Sequence, residues 1–205
     1  MILFENYNLP FSKVSFHFSQ NKGRVFARNK GVELSSGEWL LFIPSNVIVH
    51  NRLLIEYNNI LQKYSELAFM GSIQYTSSDP IFEWYLNHSK RGLNNHEDQQ
   101  LCHFKFLLFG NCLIHKSIFT QIQFNTQLTQ YGGEELDFSY RFDELYPHNI
   151  RMCQKAQVVR INHPDLLKHC NRLYEFGSTN FILLNKCLKK EIIKCSFLLN
   201  HNPLI

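Results

Sequence analysis

Two neighbouring carboxylates at the start of a predicted helix are the residues of this sequence best suited to acid–base chemistry. Glu134 and Glu135 follow Gly132-Gly133, and the glycine pair lets the backbone turn tightly into a helix predicted over Glu134–Leu145. Acidic residues in a first turn favour the helix dipole, which is one explanation of their position. The other explanation is functional, because a carboxylate held at a loop–helix junction can take a proton from a substrate hydroxyl.

A second candidate site is the polar stop Pro44-Ser45-Asn46, which follows the short apolar segment Trp39–Ile43. We predict that this segment is a strand covered on both faces, as in a largely parallel sheet, and that Pro44 ends it because proline cannot donate to a strand pairing. Ligands of α/β folds bind outside the carboxyl ends of such strands. Ser45 and Asn46 occupy that edge here, and neither supplies a carboxylate that would hold a divalent cation strongly.

Several other residues could contribute to a site, and each also has a purely structural explanation. His163 follows a late apolar strand, where it could bind a metal or a phosphate or be an ordinary structural histidine. Asn111 could hydrogen-bond a sugar hydroxyl or serve as a turn residue, and Trp84 could stack on a sugar ring or lie in the core. Arg24 and Arg28 are spaced i,i+4 on one helix, so their cations could bind a diphosphate or simply be solvated.

The elements that must position these residues alternate between strands and helices, so the predicted class is α/β, with helices flanking a mostly parallel sheet. We predict one domain over residues 1–205, with an α/β core over 13–165 and a helical segment over 166–205. The predicted strands are 13–18, 39–43, 67–75, 104–109 and 157–161, and the predicted helices are 24–34, 52–64, 80–86, 117–122, 134–145 and 166–199, the last with a break at Gly177. The polar segment 88–100 is predicted to be a mobile loop.

Composition and charge exclude several classes of protein. Of the 205 residues, 44% are hydrophobic and 19% are charged, which is typical of a globular chain. The formal net charge of +4 favours anionic ligands but is too small to indicate nucleic-acid binding. No segment approaches the ~18 apolar residues of a membrane-spanning helix. None of the six cysteines lies in a CxxC pair, so we expect reduced, mostly buried thiols in a cytoplasmic protein rather than a zinc site.

The order of the motifs resembles that of family 2 glycosyltransferases, the inverting nucleotide-sugar enzymes with a GT-A fold. The segment 27–31 (ARNKG) is similar to that family's ARNxG segment, and 36–42 (SGEWLLF) resembles the strand that leads into its DxD motif. The turn 109–111 (FGN) resembles the GN turn on the acceptor side of the family's site. The segment 133–141 (GEELDFSYR) resembles the GEDxDLxxR helix start, and His163 resembles a histidine that follows a late strand.

This resemblance, over about residues 13–180, implies transfer of a sugar from a nucleotide-diphosphate donor to a hydroxyl of a glycan or glycoconjugate, as in polysaccharide synthesis. It implies that Glu135 is the catalytic base, with Glu134 beside it. The implied nucleotide-sugar site contains Arg28, Asn29, Ser45 and Asn46, the acceptor site Asn111 and Trp84, and the metal site Asn46 and His163. The implied cofactor is Mn²⁺ or Mg²⁺, which would neutralise the leaving diphosphate. The expected location is the cytoplasm, with peripheral association at the inner face of a membrane and homo-oligomerisation both left open.

Two departures from the family pattern keep other hypotheses open. Pro44 and Asn46 replace the two aspartates of the DxD motif, and the 26 residues before Ala27 leave no room for the family's first βαβ elements. The chain is therefore either a glycosyltransferase that is shortened or works without a metal, or a catalytically degenerate glycosyltransferase fold that serves as a binding or scaffold module. A third hypothesis is a fragment whose missing strands come from elsewhere, which should dimerise or aggregate.

Overall fold

The computed structural model describes residues 12–194, and a five-stranded sheet lies at its centre. The strands are β1 (Trp39–Phe42), β2 (Val47–Val49), β3 (Ala68–Ser77), β4 (Cys112–His115) and β5 (Ile150–His163). The helices are α1 (Arg24–Leu34), α2 (Leu53–Leu61), α3 (Pro80–Asn87), α4 (Glu134–Leu145), α5 (Leu166–Ser178), α6 (Asn180–Leu183) and α7 (Lys186–Lys194). Short 3₁₀ helices span Gly92–Asn95, Phe104–Phe106 and Lys116–Thr120. The alternation of strands and helices confirms the α/β class.

The strand order is β1-β4-β3-β5-β2, and the sheet is mixed rather than mostly parallel. β3 and β5 run parallel from the Ala68–Ile150 pair to the Ser77–His163 pair. The other three pairings, β1 with β4, β3 with β4 and β2 with β5, are antiparallel. β1 therefore lies at one edge of the described sheet, and only Leu40 of its four residues is buried, although its continuous apolar sequence predicts a strand covered on both faces.

Helices cover both faces of the sheet, and the alternation of side chains along β3 shows how the two cores are divided. Ala68 and Met70 belong to the core that includes α4, whereas Phe69 and Ile73 belong to the core under α2. The helices supply buried residues at helical spacing, which are Leu53, Tyr57 and Ile60 of α2 and Phe138 and Phe142 of α4. Within residues 12–194, no helix is both long enough and apolar enough to cross a membrane.

Local capping explains why α3 begins where the sequence predicts. The side chain of Asp79 accepts hydrogen bonds from the backbone N–H groups of Ile81 (3.1 Å) and Phe82 (3.0 Å), which caps α3. Both α1 and α4 have the predicted bounds. α5 continues through Gly177, so the predicted break at that glycine is wrong and the interruption lies at Thr179.

Two of the predicted strands do not form. Residues 13–18 pair with no strand among the described residues, and Val14 remains 59% exposed, so their alternation of apolar and polar residues has no sheet face behind it. Residues 104–109 contain a 3₁₀ helix instead, because Phe104 and Leu107 both turn into the core three residues apart. The sequence shows aromatic residues at both places, but only packing decides which backbone presents them.

Other boundaries also differ from the prediction. β2 and β4 were not predicted, since three or four residues are too short for a clear periodic pattern. β5 is much longer than the predicted 157–161. The helix predicted over 117–122 is a 3₁₀ helix over Lys116–Thr120. The segment 88–100 contains the 3₁₀ helix Gly92–Asn95, and its mobility stays a prediction.

Residues 43–46 cross the end of the sheet. β1 and β2 lie at opposite edges of the strand order, yet only these four residues join them. After the crossing, Val47 pairs with Arg160 of β5, and Tyr75 of β3 pairs with the same arginine from the other side. The polar stop after β1 therefore lies at the end of the sheet where β3 and β5 terminate.

Candidate active site

The carboxylate pair at the start of α4 is held by two arginines of α1. Glu134 Oε1 lies 3.1 Å from Arg24 Nη2 and 3.3 Å from Arg28 Nη1, and Arg28 Nη2 also donates a short hydrogen bond to Glu135 Oε1. Burial, and then the charge of Glu135, raises the pKa of Glu134, against the opposing effect of the two arginines. Glu134 has a side chain only 3% exposed, whereas that of Glu135 is 23% exposed. Glu134 thus links α4 to α1, and Glu135 presents the accessible carboxylate.

The glycine turn before these carboxylates is fixed by the C-terminal helices. Gly132 and Gly133 have φ values of 81° and 84°, which favour glycine. A Cβ atom on Gly133 would lie 2.6 Å from the ring of Phe176 in α5, so the close approach of that ring also requires glycine. Asn180 Nδ2 donates to the carbonyl oxygens of Gly132 (2.7 Å) and Gln130 (2.9 Å). The glycine pair was visible in the sequence, whereas these two partners were not.

An irregularity at the end of β5 brings His163 to the face of the sheet that carries Tyr75. Regular alternation would place residues 160 and 163 on opposite faces. The β3–β5 register shifts between Tyr75 and Ser77, and Asn162 has a φ of 55°. The extra residue returns His163 to the face of Arg160, as a β-bulge does. The ring centroids of Tyr75 and His163 are consequently 5.1 Å apart.

The imidazole of His163 is neutral near pH 7 and has one nitrogen available. His163 Nδ1 lies 3.0 Å from the carbonyl oxygen of Pro164, which can only accept, so the proton sits on Nδ1 and the lone pair on Nε2. Burial is the main cause that lowers the pKa of His163, and the charges of Arg160 and Arg172 lower it further. The hydrogen bond to Pro164 acts in the opposite sense.

Three arginines surround this end of the sheet without a carboxylate partner. Arg160 Nε is buried and has no hydrogen-bond partner. Arg172 of α5 lies over the ring of Tyr131 at 5.3 Å, and Arg91 lies over the ring of Tyr85 at 4.7 Å. Within residues 12–194, none of the three arginines forms a salt bridge. No motif of the sequence singled them out.

The charges of two arginines and of the candidate base Glu135 all affect the pKa of Tyr75. Burial raises the pKa of the Tyr75 hydroxyl, the charges of Arg160 and Arg91 lower it, and the charge of Glu135 raises it. The same tyrosine ring contacts His163. Glu135 and His163, which lie far apart in the sequence, are both next to α5, since Phe176 of that helix packs against Gly133 and the ring of His169 lies 5.9 Å from that of His163.

The polar stop after β1 reaches the same region. The carbonyl oxygen of Asn46 accepts a hydrogen bond from the backbone N–H of Ile161 at 3.0 Å, two residues before His163. Ser45 is exposed and Asn46 is half-buried in the turn that joins the crossing segment to β2. Both residues therefore lie beside the end of β5, where a bound ligand could reach them.

The residues at this end do not fit a divalent metal. Pro44 offers no side-chain ligand, Ser45, Asn46 and His163 are neutral, and Mn²⁺ and Mg²⁺ prefer carboxylates. The charge of Arg160 is close enough to disfavour a second proton on His163, and it would repel a metal cation equally. In the part of the chain that the structure describes, no three His, Cys, Asp or Glu residues are grouped so that they could hold a metal ion.

The predicted nucleotide contact Asn29 has a structural role instead. Asn29 Nδ2 donates to the carbonyl oxygen of Phe124 at 2.9 Å, and Asn29 Oδ1 accepts from the N–H of the same residue at 3.0 Å. This pair of bonds ties α1 to the loop before α4. Arg28, its neighbour, lies over the rings of Phe109 (5.4 Å) and Phe124 (5.2 Å) while it holds the two carboxylates. Arg28 is therefore at the candidate site, and both amide atoms of Asn29 bind the backbone of Phe124.

The predicted acceptor contact Asn111 is also committed to the core. It is 0% exposed, and its Nδ2 donates to the carbonyl oxygens of Ser72 (3.0 Å) and Ala156 (2.8 Å). Its Oδ1 accepts from the hydroxyl of Tyr57 at 2.9 Å. A Cβ atom on Gly71 would lie 2.1 Å from Asn111 Nδ2, so that glycine makes room for the amide. Asn111 joins β3, β5 and α2 and does not reach a ligand.

Trp84 remains accessible. Its side chain is on the outer face of α3 and the residue is 66% exposed, with the ring of His88 at 5.0 Å. On the inner face of the same helix, Phe82 contacts the rings of His163 (5.7 Å) and His169 (5.3 Å). Trp84 is thus carried by a helix that packs against the site, and a sugar-stacking role stays a prediction.

Two clefts contain residues of the candidate site. One, of about 510 Å³, lies between α1 and β1, with Arg28 and residues 39–43 in its wall. The other, of about 350 Å³, is lined by Tyr75, Arg91 and Lys105, among others. A larger groove of about 740 Å³ runs along α1 beside Phe26 and Lys116, and neither carboxylate lies in its wall.

Comparison with solved structures defines the class of fold. The chain is similar to residues 1–349 of TarS from S. aureus, with a TM-score of 0.53 and 14% identity over 86% of this chain and 51% of that one. The complex of the same protein with UDP gives a TM-score of 0.54 with the same identity and coverage. At this identity the likeness shows the fold alone, which is a GT-A-like α/β fold.

The chain spans about half the length of the structures that it matches. Glucosyl-3-phosphoglycerate synthase from Mycobacterium tuberculosis, in complex with Mn²⁺, UDP-glucose and glycerol 3-phosphate, is matched over 73% of this chain and 50% of that one, with 15% identity. Its TM-score of 0.44 is too low to define a fold. No family model matches the sequence, and no curated protein matches it.

Proposed function

We propose that this chain transfers a sugar from a nucleotide-diphosphate donor to a hydroxyl group of a glycan or glycoconjugate, with inversion at the anomeric carbon. The observation that carries this proposal is the position of Glu135. Its carboxylate is accessible at the start of α4 and is held by a hydrogen bond from Arg28 of α1. The fold is shared with TarS, which has been crystallised in complex with UDP, and a nucleotide site on this fold supports the proposal.

In the proposed reaction, Glu135 accepts the proton of the acceptor hydroxyl. The acceptor oxygen forms a bond to the anomeric carbon while the bond from that carbon to the diphosphate oxygen breaks. The electron pair of the broken bond leaves with the diphosphate, and attack from the opposite side inverts the anomeric carbon. Arg28 is a positioning residue, because its hydrogen bond to Glu135 restricts the carboxylate to one orientation.

The two clefts divide between donor and acceptor in this proposal. The cleft between α1 and β1 receives the nucleoside, since residues 43–46 lead from its wall past Ser45 and Asn46 to the end of β5. The acceptor approaches from the side of Tyr75 and the exposed Trp84. Glu134, which is buried and paired twice, supports the site without contacting a substrate.

Turnover of nucleotide sugars tests the proposal. Purified chain is incubated with a panel of UDP-, GDP- and TDP-sugars, and release of the nucleoside diphosphate is measured. Glu135→Gln should lower the rate by about 10²–10⁴-fold, as expected for loss of a general base. Glu33→Gln is the matched control, since Glu33 is 65% exposed on α1 and, among residues 12–194, forms a salt bridge only with Lys30. Equal rates for wild type and Glu135→Gln would refute the role of Glu135.

A second candidate function is a binding module with a degenerate glycosyltransferase fold. The observation that favours it is the neutral set Ser45, Asn46 and His163 at the position where the resemblance implies a metal. This alternative expects binding of a nucleotide sugar with no release of nucleoside diphosphate. Calorimetry with UDP-glucose, run beside the turnover assay, separates the two functions, because a binding module would give heat without product.

A further inference from the structure

We propose that the donor diphosphate is bound at the end of β5 by Arg160, Arg172 and Arg91, with His163 beside them, in place of a divalent metal. This inference rests on the proposed function, because it concerns the leaving group of the same reaction. It follows from the disagreement between the metal that the fold class implies and the cationic residues that the chain places there.

Arg160 is the centre of the site. It pairs with Tyr75 of β3 on one side and with Val47 of β2 on the other, so it lies directly beside the segment that corresponds to the DxD motif. Its Nε is buried and has no acceptor. A buried N–H without a partner is costly, and a phosphate oxygen would supply the missing acceptor.

Arg172 and Arg91 add two further cations from separate elements. Arg172 comes from α5 and stacks over Tyr131, and Arg91 comes from the loop after α3 and stacks over Tyr85. The charges of Arg172 and Arg91 both lower the pKa of His169, and the charges of Arg172 and Arg160 both lower the pKa of His163. Three guanidinium groups near two imidazoles repel one another, and a dianionic or trianionic ligand would relieve that repulsion.

The nearby acids are hydrogen-bonded to other groups, and within residues 12–194 none forms a salt bridge with the three arginines. Glu83 accepts from the backbone N–H of Ser77 at 2.7 Å, and Glu175 accepts from that of Tyr131 at 3.4 Å. Glu135 forms its ion pair with Arg28. Asp165 accepts from the backbone N–H of Lys168 at 2.8 Å, which caps α5, and its Oδ2 lies 3.2 Å from Lys168 Nζ. The positive charge at the end of β5 is therefore available to an anion.

Guanidinium groups suit a diphosphate chemically. The planar fork of an arginine donates two parallel hydrogen bonds to phosphate oxygens. Such fixed donors stabilise the negative charge that develops on the leaving oxygen, which is the task that a metal performs elsewhere.

Titration calorimetry with inorganic pyrophosphate and with UDP tests this site, once in EDTA and once with Mn²⁺. Wild type should bind both ligands in EDTA, and Mn²⁺ should change the Kd less than about threefold. Arg160→Gln should raise both Kd values about tenfold or more, the loss expected for a hydrogen bond to a charged group. Arg160→Lys keeps the charge, and its Kd values should lie between those of wild type and of Arg160→Gln. Lys155→Gln, which removes a 67% exposed cation from the same strand, is the matched control and should bind like wild type.

The outcomes separate this inference from the proposed function. Binding that requires Mn²⁺, or equal Kd values for wild type and Arg160→Gln, would overturn the arginine site and leave transfer by Glu135 standing. Turnover that fails in every nucleotide sugar while pyrophosphate still binds in EDTA would count against the transferase and support the anion site. Circular dichroism of each variant shows that it is folded, and Arg160→Lys carries the test if Arg160→Gln does not fold.

Discussion

The ring centroids of Tyr75 and His163 lie 5.1 Å apart, with the two rings almost perpendicular at 87°. This contact exists because the extra residue near Asn162 shifts the register of β5 by one residue relative to β3. Without that bulge, His163 would face the opposite side of the sheet and would not share a surface with Arg160. A single backbone irregularity thus decides which side chains can act together.

Stability should depend on pH through His163 and His169. Burial is the main cause that lowers both pKa values, and the nearby arginines add to it. The folded state therefore disfavours the protonated rings, and the free energy of unfolding should decrease as the pH falls below the ordinary value of about 6.5. Urea unfolding of wild type and of His163→Gln/His169→Gln between pH 7.5 and 5 should show a smaller decrease in the double variant.

The comparison between variants isolates the two histidines. The raised pKa of Glu134 acts in the opposite sense, since its protonation in the folded state becomes favourable as the pH falls. The charged groups that affect the pKa values of the two rings are Arg160, Arg172 and Arg91. The titratable side chain of Tyr75 contacts His163, and the charge of Glu135 affects the pKa of Tyr75. His148→Asn is the control, because His148 is exposed and its φ of 59° suits asparagine. An unchanged pH dependence in the double variant would contradict the prediction.

The turn before the candidate base should not tolerate a side chain. Gly133→Ala should lower the free energy of unfolding by about 2 kcal/mol or more, because φ is 84° and the new Cβ would meet Phe176 at 2.6 Å. In a Phe176→Ala background the additional cost should fall to about 1–2 kcal/mol, since only the backbone strain remains. Thermal or urea unfolding measures both.

Gly31→Ala is the matched control for that turn. Gly31 lies inside α1, and a Cβ atom there would meet no atom within 4 Å. This substitution should stabilise the chain by about 0.5–1 kcal/mol through the helix preference of alanine. A Gly133→Ala variant as stable as Gly31→Ala would show that the turn is not constrained as described.

Arg28 should be more important for stability than Lys30, a half-buried cation of the same helix. Arg28→Met leaves the buried Glu134 with Arg24 as its remaining partner and should cost about 3 kcal/mol at pH 7.5. Adding Glu134→Gln removes the buried charge and should restore part of that loss. Lys30→Met breaks an exposed pair with Glu33 and should cost about 1 kcal/mol at most. Equal costs for the two single variants would show that Arg28 is not a structural link.

Thiol reactivity should follow burial. Burial raises the pKa of Cys102 and of Cys153 to about 11, and it raises that of Cys112 as well. Iodoacetamide at pH 8 should therefore label Cys170 and Cys187, which are exposed, and should spare the three buried thiols until the chain is unfolded. Peptide mapping by mass spectrometry reads each site separately. Cys195 lies outside the described residues, and rapid labelling of Cys112 in the native chain would argue against the core as described.

The sequence by itself determined the features whose causes are local. The bounds of α1 and α4, the cap of α3 and the turn at Gly132-Gly133 follow from residue types within a few positions of one another. The α/β class also follows, because the alternation of apolar patterns is a property of the chain. The position of Glu134 and Glu135 in the first turn of α4 also follows from the local sequence.

Tertiary structure alone decided how distant residues meet. The apolar segment of β1 predicts a strand covered on both faces, yet β1 lies at an edge of the sheet and only Leu40 of its four residues is buried. Asn29 and Asn111 look like ligand contacts, but partners about 95 and 39–54 residues away satisfy their amides. The physical reason is that strand register, hydrogen-bond satisfaction and charge repulsion depend on which segments come together. The cluster of Arg91, Arg160 and Arg172 around His163 is therefore formed by the fold, and no sequence motif indicates it.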